Sequence, residues 1–444
     1  MAQLRDVFGI STRVDSASYV DRGGLDDKFR RALDSDRHIA VHGGSKQGKS
    51  WLRAKGLSSR ETLLVQCTPS STPASLFSEA LGRLGINASL AMSSSRDISG
   101  SLDFSGALEL GKLVGKISAT GRAEGAISTT TTVDEAPLGQ TVADLLWVSL
   151  SIVASKKRLV LEDFHYLSEK VQREFAFMLK AMGEYGLFAV VVGVWPRDHL
   201  LTYFNGDLDG RVEDIHLRWS DAELARVLGQ GSLALNIRIS TQIEQQMLRD
   251  AYGSIGLLQR LAEQLCVESR VFETVPRLQP KSLSTGSAYI SARASVAAQM
   301  QGRYQTFADN FVRGMRRLAE GLEVYRYILQ TSTEAHDSEL IDGIDSARLL
   351  QRVLDHKGGE SIRASDLTQA LERIDKLQLK IGVNPLVLTY NRSDRRLFLA
   401  DRSFLFFRAH GNQQWPWSAS APEFKNDLYV QEPLDLDFGD ANGA

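Results

Sequence analysis

Residues 37–52 read RHIAVHGGSKQGKSWL, and this stretch decides the fold. Its apolar run 38–41 predicts a short strand. The turn after it carries two glycines, a lysine and a serine on the G-x-x-x-x-G-K-[ST] spacing: Gly43, Gly48, Lys49 and Ser50. Glycines let backbone N–H groups curl around phosphates without Cβ clashes, and the helix that follows turns its positive end toward the same anion. The stretch therefore predicts a strand, a phosphate-binding loop and a helix.

Two side chains of this loop have tasks of their own. Lys49 can reach the β- and γ-phosphate oxygens, and Ser50 can place a hydroxyl on Mg²⁺. The alternative is a glycine turn followed by a basic helix start, but a strand before and a helix after favour the phosphate loop. We expect the whole loop to contact a nucleotide: Gly43, Gly44, Ser45, Lys46, Gln47, Gly48, Lys49, Ser50 and Trp51.

A second motif, RLVLEDFHYL, occupies residues 158–167. Its apolar part predicts a central buried strand that ends at Glu162 and Asp163, where an open α/β sheet carries its ligand. Two adjacent carboxylates are costly to bury there without a cation, and Mg²⁺ held by phosphates supplies one. His165 follows them, either as a relay from nucleotide to partner or as a packed structural histidine. Further apolar runs at 62–67, 187–195 and 212–217 predict the other strands of the sheet.

Length and composition are those of a globular protein. The chain has 444 residues, 43% hydrophobic and 24% charged, which predicts about two to four domains. A net charge of −2 excludes a strongly basic footprint over the whole chain. Cys67 and Cys266 follow no metal or disulfide spacing, which fits a reducing compartment. With no secretory signal and no apolar run of membrane-spanning length, we expect a soluble cytoplasmic protein that does not bind membranes.

A run of Tyr-Val-x-Arg-x-x-Leu-Asp at 19–26, shortly before the loop, resembles the nucleotide-base segment of AAA+ and STAND-type P-loop ATPases. The resemblance implies ATP with Mg²⁺ as cofactors, and places Tyr19, Val20 and Arg22 around the adenine; the alternative is a surface helix with a solvated arginine. The acidic pair resembles the STAND form, so Glu162 takes the Mg²⁺ role and Asp163 orients the attacking water. Most relatives have Asp first, so Glu162 departs from the pattern and leaves the division of roles open.

The same resemblance implies roles for several arginines. AAA+ proteins place an arginine finger just before the last sheet strand, where it reaches a neighbour's ATP, and Arg211 stands there with Arg218 as second choice. The alternative pairs Arg211 with Asp207 or Asp209. The run Gly-Ser-Ile-Gly at 253–256 resembles the lid motif, and Arg260 one turn later is the candidate lid sensor of nucleotide. The sensor at the end of strand 187–195 stays unassigned, since Trp195 and Arg197 do not match it.

The predicted fold class is α/β: a P-loop AAA+ core with a parallel sheet, a helical lid and a C-terminal winged helix. We divide the chain into the core 1–219, the lid 220–285, a helical linker with the winged helix 286–410, and an acidic, aromatic tail 411–444. Residues 89–137, rich in Gly, Ser and Thr, are an insertion: either a flexible loop or a hairpin that reaches a neighbouring subunit or nucleic acid.

The winged-helix prediction rests on the order helix, helix, hairpin over 347–399, and resembles the end of origin-recognition-like and archaeal-type ATPases. Arg392, Arg395 and Arg396 lie on its wing, where DNA-binding members contact phosphates. The alternative is a regulatory winged helix that packs on the ATPase and touches no DNA.

The sequence therefore leaves three alternative hypotheses for the function. The first is a STAND-type ATPase switch that couples nucleotide state to homo-oligomerisation and to an effector or regulatory protein, as in bacterial antiviral defence. The second is a DNA-binding AAA+ ATPase of the transposition or replication-initiation type. The third is a nucleotide-binding scaffold with negligible turnover. Adenine over guanine rests on the resemblance, and we find no guanine-reading Asn-Lys-x-Asp motif in the sequence.

Overall fold

The structure is a computed structural model that describes residues 1–9, 18–87, 134–135, 144–195, 198–276, 278–313 and 323–418. The predictions made for most of the insertion 89–137, for Arg197 and for the tail beyond residue 418 lie outside the described residues. Within the described ranges no helix has both the length and the apolar character needed to cross a membrane.

In chain order the strands are β1 (His38–Gly43), β2 (Thr62–Gln66), β3 (Ile86–Asn87), β4 (Asp134–Glu135), β5 (Arg158–Glu162), β6 (Ala189–Val192), β7 (Val212–Leu217), β8 (Ile237–Ile239), β9 (Lys281–Leu283), β10 (Ile344–Asp345), β11 (Leu388–Asn391) and β12 (Arg396–Leu399). The described helices are α1 (Leu4–Val7), α2 (Leu25–Leu33), α3 (Lys49–Gly56), α4 (Pro73–Arg83), α5 (Leu145–Ala154), α6 (Glu169–Glu184), α7 (Leu200–Phe204), α8 (Asp221–Leu235), α9 (Thr241–Asp250), α10 (Ile255–Glu268), α11 (Gly286–Arg313), α12 (Val324–Glu334), α13 (Asp337–Asp342), α14 (Ser346–Asp355), α15 (Ala364–Glu372), α16 (Ile374–Lys380) and α17 (Ser403–His410).

The central sheet is parallel and has the strand order β2-β5-β6-β1-β7. Every residue of β1 is buried, as expected for a parallel strand covered on both faces. Because parallel strands end at one edge of the sheet, the loop after β1 and the acidic pair after β5 come to the same edge. This is the α/β architecture that the sequence predicts.

Alternate residues of the strands face opposite layers of helices. On one face Ala40 and Leu161 pack with α4, α5 and α6 around Phe175. On the other face Ile39 and Val160 pack with α2 and α3. The strand predicted over 187–195 is shorter than expected, because Trp195 leaves the sheet and stacks on His42 with 5.1 Å between ring centroids.

The helices after the sheet share one continuous core with the C-terminal part of the chain. Buried side chains of α10, α11 and α17 meet in it, among them Leu261, Phe307 and Phe407. Beyond α14 the chain forms α15, α16 and the β11–β12 hairpin, and β12 pairs with β10 to make a three-stranded antiparallel sheet. The helices and hairpin thus occur in the predicted order, and their assignment as a winged helix remains a prediction.

Candidate functional site

A cavity of about 580 Å³ lies at the edge where β1 and β5 end. Residues 45–51 of the loop form its floor, and Glu162 and Asp163 form one side. Three further predicted residues line the opposite side: Tyr19, Val20 and Arg22. Two motifs that lie more than a hundred residues apart in the sequence are therefore brought to one cavity.

The loop has the backbone shape that its glycines allow. Gly48 immediately precedes α3 at φ +83°, in the left-handed region that favours glycine. Gly43 has φ +141°, and a Cβ there would lie 2.5 Å from the carbonyl oxygen of Leu217 in β7. Gly43 and Gly44 do not line the cavity, and their contact with a nucleotide remains a prediction.

Lys49 begins α3 and is buried. Its Nζ donates to the carbonyl oxygen of Gly44 at 2.6 Å. Burial lowers the pKa of Lys49 to about 8, although the nearby carboxylates of Asp163 and Glu162 oppose the shift. A buried ammonium at the first turn of α3 gives the cavity a positive end that suits phosphate.

Ser50 and Glu162 form the second functional pair. Ser50 Oγ donates to Glu162 Oε1 at 2.5 Å, and the other carboxylate oxygen lies 3.5 Å from Arg53 Nε. Glu162 is only 7% exposed, yet its Oε2 accepts no hydrogen bond from the described part of the chain. A hydroxyl and an incompletely satisfied carboxylate are the oxygen ligands that Mg²⁺ prefers, so these two residues fit the predicted metal.

Asp163 adopts the left-handed conformation with φ +58° directly after β5. Its Oδ2 accepts a hydrogen bond of 2.6 Å from Gln66 Nε2, and burial raises the pKa of the carboxyl. Gln66 was not among the predicted site residues. The signal for it was a single polar residue at the end of the apolar run 62–67, which parallel pairing places beside Glu162.

The side of the cavity formed by residues 18–22 is held by an arginine and a tryptophan. Arg22 Nη1 donates to the carbonyl oxygen of Gln47 at 3.2 Å, and its guanidinium lies 4.3 Å from the ring centroid of Trp219. Trp219 Nε1 donates to the same carbonyl at 3.1 Å. Tyr19 donates to Asp26 Oδ1 at 2.6 Å. Trp219 belongs to no motif that the sequence reveals, since only folding brings it to the loop.

His165 also lines the cavity. Its ring nitrogens make no hydrogen bond with the described residues, and burial lowers its pKa to about 3. The imidazole is therefore neutral at pH 7. Its position allows both of the roles that the sequence left open, a relay and a packed structural histidine.

The predicted arginine finger lies away from this cavity. The carbonyl of Arg211 accepts from the backbone N–H of His38, at the start of β1 and thus at the opposite edge of the sheet. Its side chain is 47% exposed and pairs with Glu184 at 2.7 Å, not with the predicted alternatives Asp207 or Asp209. Arg211 therefore does not line the cavity of its own chain, and its role as an arginine finger remains a prediction.

Two other predicted arginines are engaged within the chain. Arg218 Nε donates to His216 Nε2 at 3.3 Å. Arg260 Nη2 donates to Gln299 at 2.8 Å, and its neighbour Gln259 lines the cavity instead. Arg260 does not line the cavity in this structure, so the structure gives no support to its predicted role as the lid sensor of nucleotide.

The C-terminal part of the chain docks directly on the phosphate loop. The backbone N–H of Ser45 donates to the carbonyl oxygen of Ala400 at 2.9 Å, and Pro385 lines the cavity. Next to them Asp401 is buried and accepts from Arg303 at 2.7 Å. The electrostatic field of Lys46 helps to hold the pKa of Asp401 below its usual range.

The wing arginines face partners within the chain. Arg392 Nη1 pairs with Glu169 of the core at 2.5 Å, and Arg396 Nη1 donates to the carbonyl oxygen of Gly343 at 3.3 Å. Arg395 has φ +53° in the turn between β11 and β12. The turn between β11 and β12 thus contacts α6 through the pairing of Arg392 with Glu169.

Together, the strand order, the loop after β1 and the acidic pair after β5 define the fold of the P-loop AAA+ ATPases. A solved structure with this fold is a Walker-type ATPase of Pyrococcus abyssi, at a TM-score of 0.53 and 13% identity over 91% of this chain and 99% of that one. Two further similar structures have lower TM-scores. They are the Thermotoga maritima RuvB Holliday junction branch migration motor (0.34, 12% identity, 87% and 94% covered) and Cdc6p from Pyrobaculum aerophilum (0.32, 12% identity, 90% and 97% covered). No family model and no curated protein sequence matches the chain.

Proposed function

We propose that this protein is an ATP-driven switch that binds and hydrolyses ATP with Mg²⁺. The observation that carries the proposal is the meeting of Lys49, the Ser50–Glu162 pair and Asp163 on one cavity. A positive end, a metal position and a carboxylate beside them are the parts that phosphoryl transfer to water requires.

Each group has a defined task in that reaction. Lys49 exchanges the carbonyl of Gly44 for phosphate oxygens, and binding of the anion stabilises its charged form. Ser50 and Glu162 would hold Mg²⁺, which supplies positive charge against the phosphates. Asp163 accepts a hydrogen bond from the attacking water and orients it, while Gln66 fixes the carboxylate. The raised pKa of Asp163 suits a group that takes up a proton.

The adenine is proposed to lie beside Tyr19, Val20 and Arg22. Val20 is buried, and the Arg22 guanidinium lies over the Trp219 ring while it donates to the loop carbonyl of Gln47. An apolar side chain and a fixed guanidinium plane form a surface on which a purine can stack.

The switch function is supported by contacts between the cavity and the C-terminal part of the chain. Ala400 binds the loop through Ser45, and Arg402 Nη1 donates to the carbonyl of Tyr252 at 3.0 Å, just before the lid helix α10. Nucleotide that reshapes the loop must change these contacts, so its presence is communicated to residues 385–402. We propose that this changes homo-oligomerisation, with Arg211 reaching a neighbour's ATP, and access for an effector or regulatory protein, as in bacterial defence.

The cytoplasm is the proposed location, because Cys67 and Cys266 are both buried free thiols. The pairing of Arg392 with Glu169 favours the switch over the DNA-binding alternative, since that arginine is already neutralised by the core.

Steady-state ATP turnover by the purified chain tests the proposal, measured with Mg²⁺, with EDTA, and with double-stranded DNA. We expect slow turnover that EDTA abolishes and DNA leaves unchanged. Strong stimulation by DNA would favour the DNA-binding alternative and direct attention to Arg392, Arg395 and Arg396. Binding without turnover would favour a scaffold, and absence of both would overturn the site.

A further inference from the structure

A second cluster of polar side chains lies behind the phosphate loop, outside the nucleotide cavity. It is built from the ends of neighbouring strands, since His42 of β1 is paired in register with His216 of β7. His42 Nε2 and His216 Nδ1 each lie 3.1 Å from Asp198 Oδ1. One ligand atom from each of the three residues lies within 4.8 Å of the other two. Asp214 Oδ1 lies 3.6 Å from His42 Nε2 on another side.

His42 is fully buried, and its second nitrogen has no hydrogen-bond partner. Nδ1 lies 3.2 Å from the carbonyl oxygen of Trp195, which fixes the proton on Nδ1 and leaves the lone pair on Nε2. Nε2 makes no hydrogen bond with the described residues, although it faces the carboxylates of Asp198 and Asp214. A lone pair that faces carboxylate oxygens is unfavourable unless a cation lies between them.

The spacing of these atoms is that of a metal site. Zinc binds imidazole nitrogen and carboxylate oxygen at about 2.0–2.2 Å in tetrahedral geometry, which places neighbouring ligand atoms about 3.3–3.5 Å apart. The two printed separations within the group, from Asp198 Oδ1 to His42 Nε2 and to His216 Nδ1, are both 3.1 Å. We propose that His42 Nε2, His216 Nδ1 and Asp198 bind one divalent cation of the zinc class, with water in the fourth position.

The Trp195 carbonyl then acts on the metal through His42. It holds the Nδ1 proton and orients the ring, as carbonyl and carboxylate partners do for metal-binding histidines. The Trp195 ring covers His42 in a stacked arrangement with 11° between planes, which keeps water from that side. Asp198 is 48% exposed, so a cation can enter from the solvent side.

Two cationic groups oppose binding. The charge of Lys49 is close enough to disfavour a charged His42. Arg218 Nε donates to His216 Nε2, which requires the His216 proton on Nδ1. When a metal binds Nδ1, this proton moves to Nε2. The side chain of Arg218, which is exposed, then turns away from His216. No proton is lost from His216 in this exchange.

The proposed ion would join β1, β7 and the chain around Trp195 and Asp198. Its ligand His42 directly precedes Gly43, the first residue of the phosphate loop. Its role is structural, and it does not depend on the nucleotide site, whose metal ligands are Ser50 and Glu162. The two sites can therefore be tested separately.

Cobalt is a suitable probe because tetrahedral Co²⁺ absorbs visible light and occupies zinc sites. The full chain, stripped with a chelator and free of nucleotide, is titrated with Co²⁺ and then with Zn²⁺. We expect one Co²⁺ per chain with a tetrahedral spectrum that Zn²⁺ abolishes. His216→Gln and Asp198→Asn should each weaken binding at least about tenfold. Thermal melting of both variants shows that they fold, and the half-exposed Asp198 is the safer position.

Two controls locate the ion. Glu162→Gln should leave Co²⁺ binding unchanged, because it alters only the nucleotide metal position. His336→Asn removes a distant imidazole, keeps the capping chemistry at the start of α13, and should also leave binding unchanged. Arg218→Gln should tighten binding several-fold. The proposal is overturned if the stripped wild-type chain binds neither Co²⁺ nor Zn²⁺, or if Glu162→Gln loses the spectrum while His216→Gln keeps it.

Discussion

The two walls of the nucleotide cavity are built in different ways. The phosphate wall consists of residues 45–50 with Glu162 and Asp163, and its charged groups come from two short motifs. The outer wall comes from three separate parts of the chain and consists of Tyr19, Val20 and Arg22, together with Trp219 and Gln259. The phosphate wall holds buried charges that suit the reaction, whereas the outer wall holds stacked and apolar groups that suit a purine. Changes in the first should therefore affect chemistry, and changes in the second should affect affinity.

The largest expected effect is on the phosphate wall. Asp163→Asn keeps the shape of the side chain and its contact with Gln66, but it removes the proton acceptor. We expect kcat for ATP hydrolysis to fall by about 10²–10⁴, the usual contribution of a general base, with nucleotide affinity unchanged. Single-turnover hydrolysis and direct binding measure the two quantities.

Asp207→Asn is the matched control, since this exposed carboxylate pairs with Lys180 far from the cavity. Full activity in the Asp163 variant would assign the base role to another residue.

Substitutions in the outer wall should change the affinity for ATP but not the rate of its hydrolysis. Arg22→Lys keeps the charge but loses the guanidinium contact with Trp219 and the bond to Gln47. We expect ATP to bind about tenfold more weakly, from about 1–2 kcal/mol of lost cation–π and hydrogen-bond energy. The measurement is calorimetry, with Arg83→Lys as the control, since this exposed arginine pairs with Glu79 of the same helix, α4. Unchanged affinity beside a lowered kcat would reverse the comparison.

The phosphate wall should also respond to pH. Lys49 has a pKa of about 8, so it is charged below that pH and neutral above it. Because phosphate binding needs the charged form, affinity should be greatest below pH 8 and weaken about tenfold between pH 7 and pH 9. Proton uptake on binding near pH 8 should appear as a buffer-dependent enthalpy. A flat affinity over this range would mean that Lys49 does not hold the phosphates.

The smallest effect is expected at Gln66, a positioning residue. Gln66→Leu removes the bond to Asp163, worth about 1 kcal/mol, so kcat should fall about fivefold. Its pH–rate profile should shift as well, because this bond holds down the pKa of Asp163. A change in affinity with an unshifted profile would contradict the positioning role.

The phosphate wall could be predicted from the sequence because each of its parts is contiguous. Four spaced residues define the loop, and the acidic pair stands directly after an apolar strand. The strands of the sheet were predicted from apolar runs of the same kind. β2 ends one residue earlier than expected, and β6 is shorter by more because Trp195 leaves the sheet and stacks on His42.

The rest of the site depends on contacts between distant segments. Trp219, Gln66 and the docking of Ala400 on Ser45 have no local pattern, since each is defined by a partner far away in the sequence. The proposed metal ligands show the same limit: His42, Asp198 and His216 follow no metal spacing, and they meet because β1 pairs with β7 and the chain after β6 brings Asp198 beside both histidines.

The central claim is that this cavity binds the phosphates of ATP through Lys49, and calorimetric titration of ATP·Mg²⁺ into the wild type and Lys49→Ala tests it most directly. Removing the buried partner of a charged ligand costs about 2–5 kcal/mol, so we predict at least a thirtyfold loss of affinity. Lys180→Ala, which removes an exposed lysine paired with Asp207, should bind like the wild type. Equal affinity in Lys49→Ala and the wild type would contradict the account.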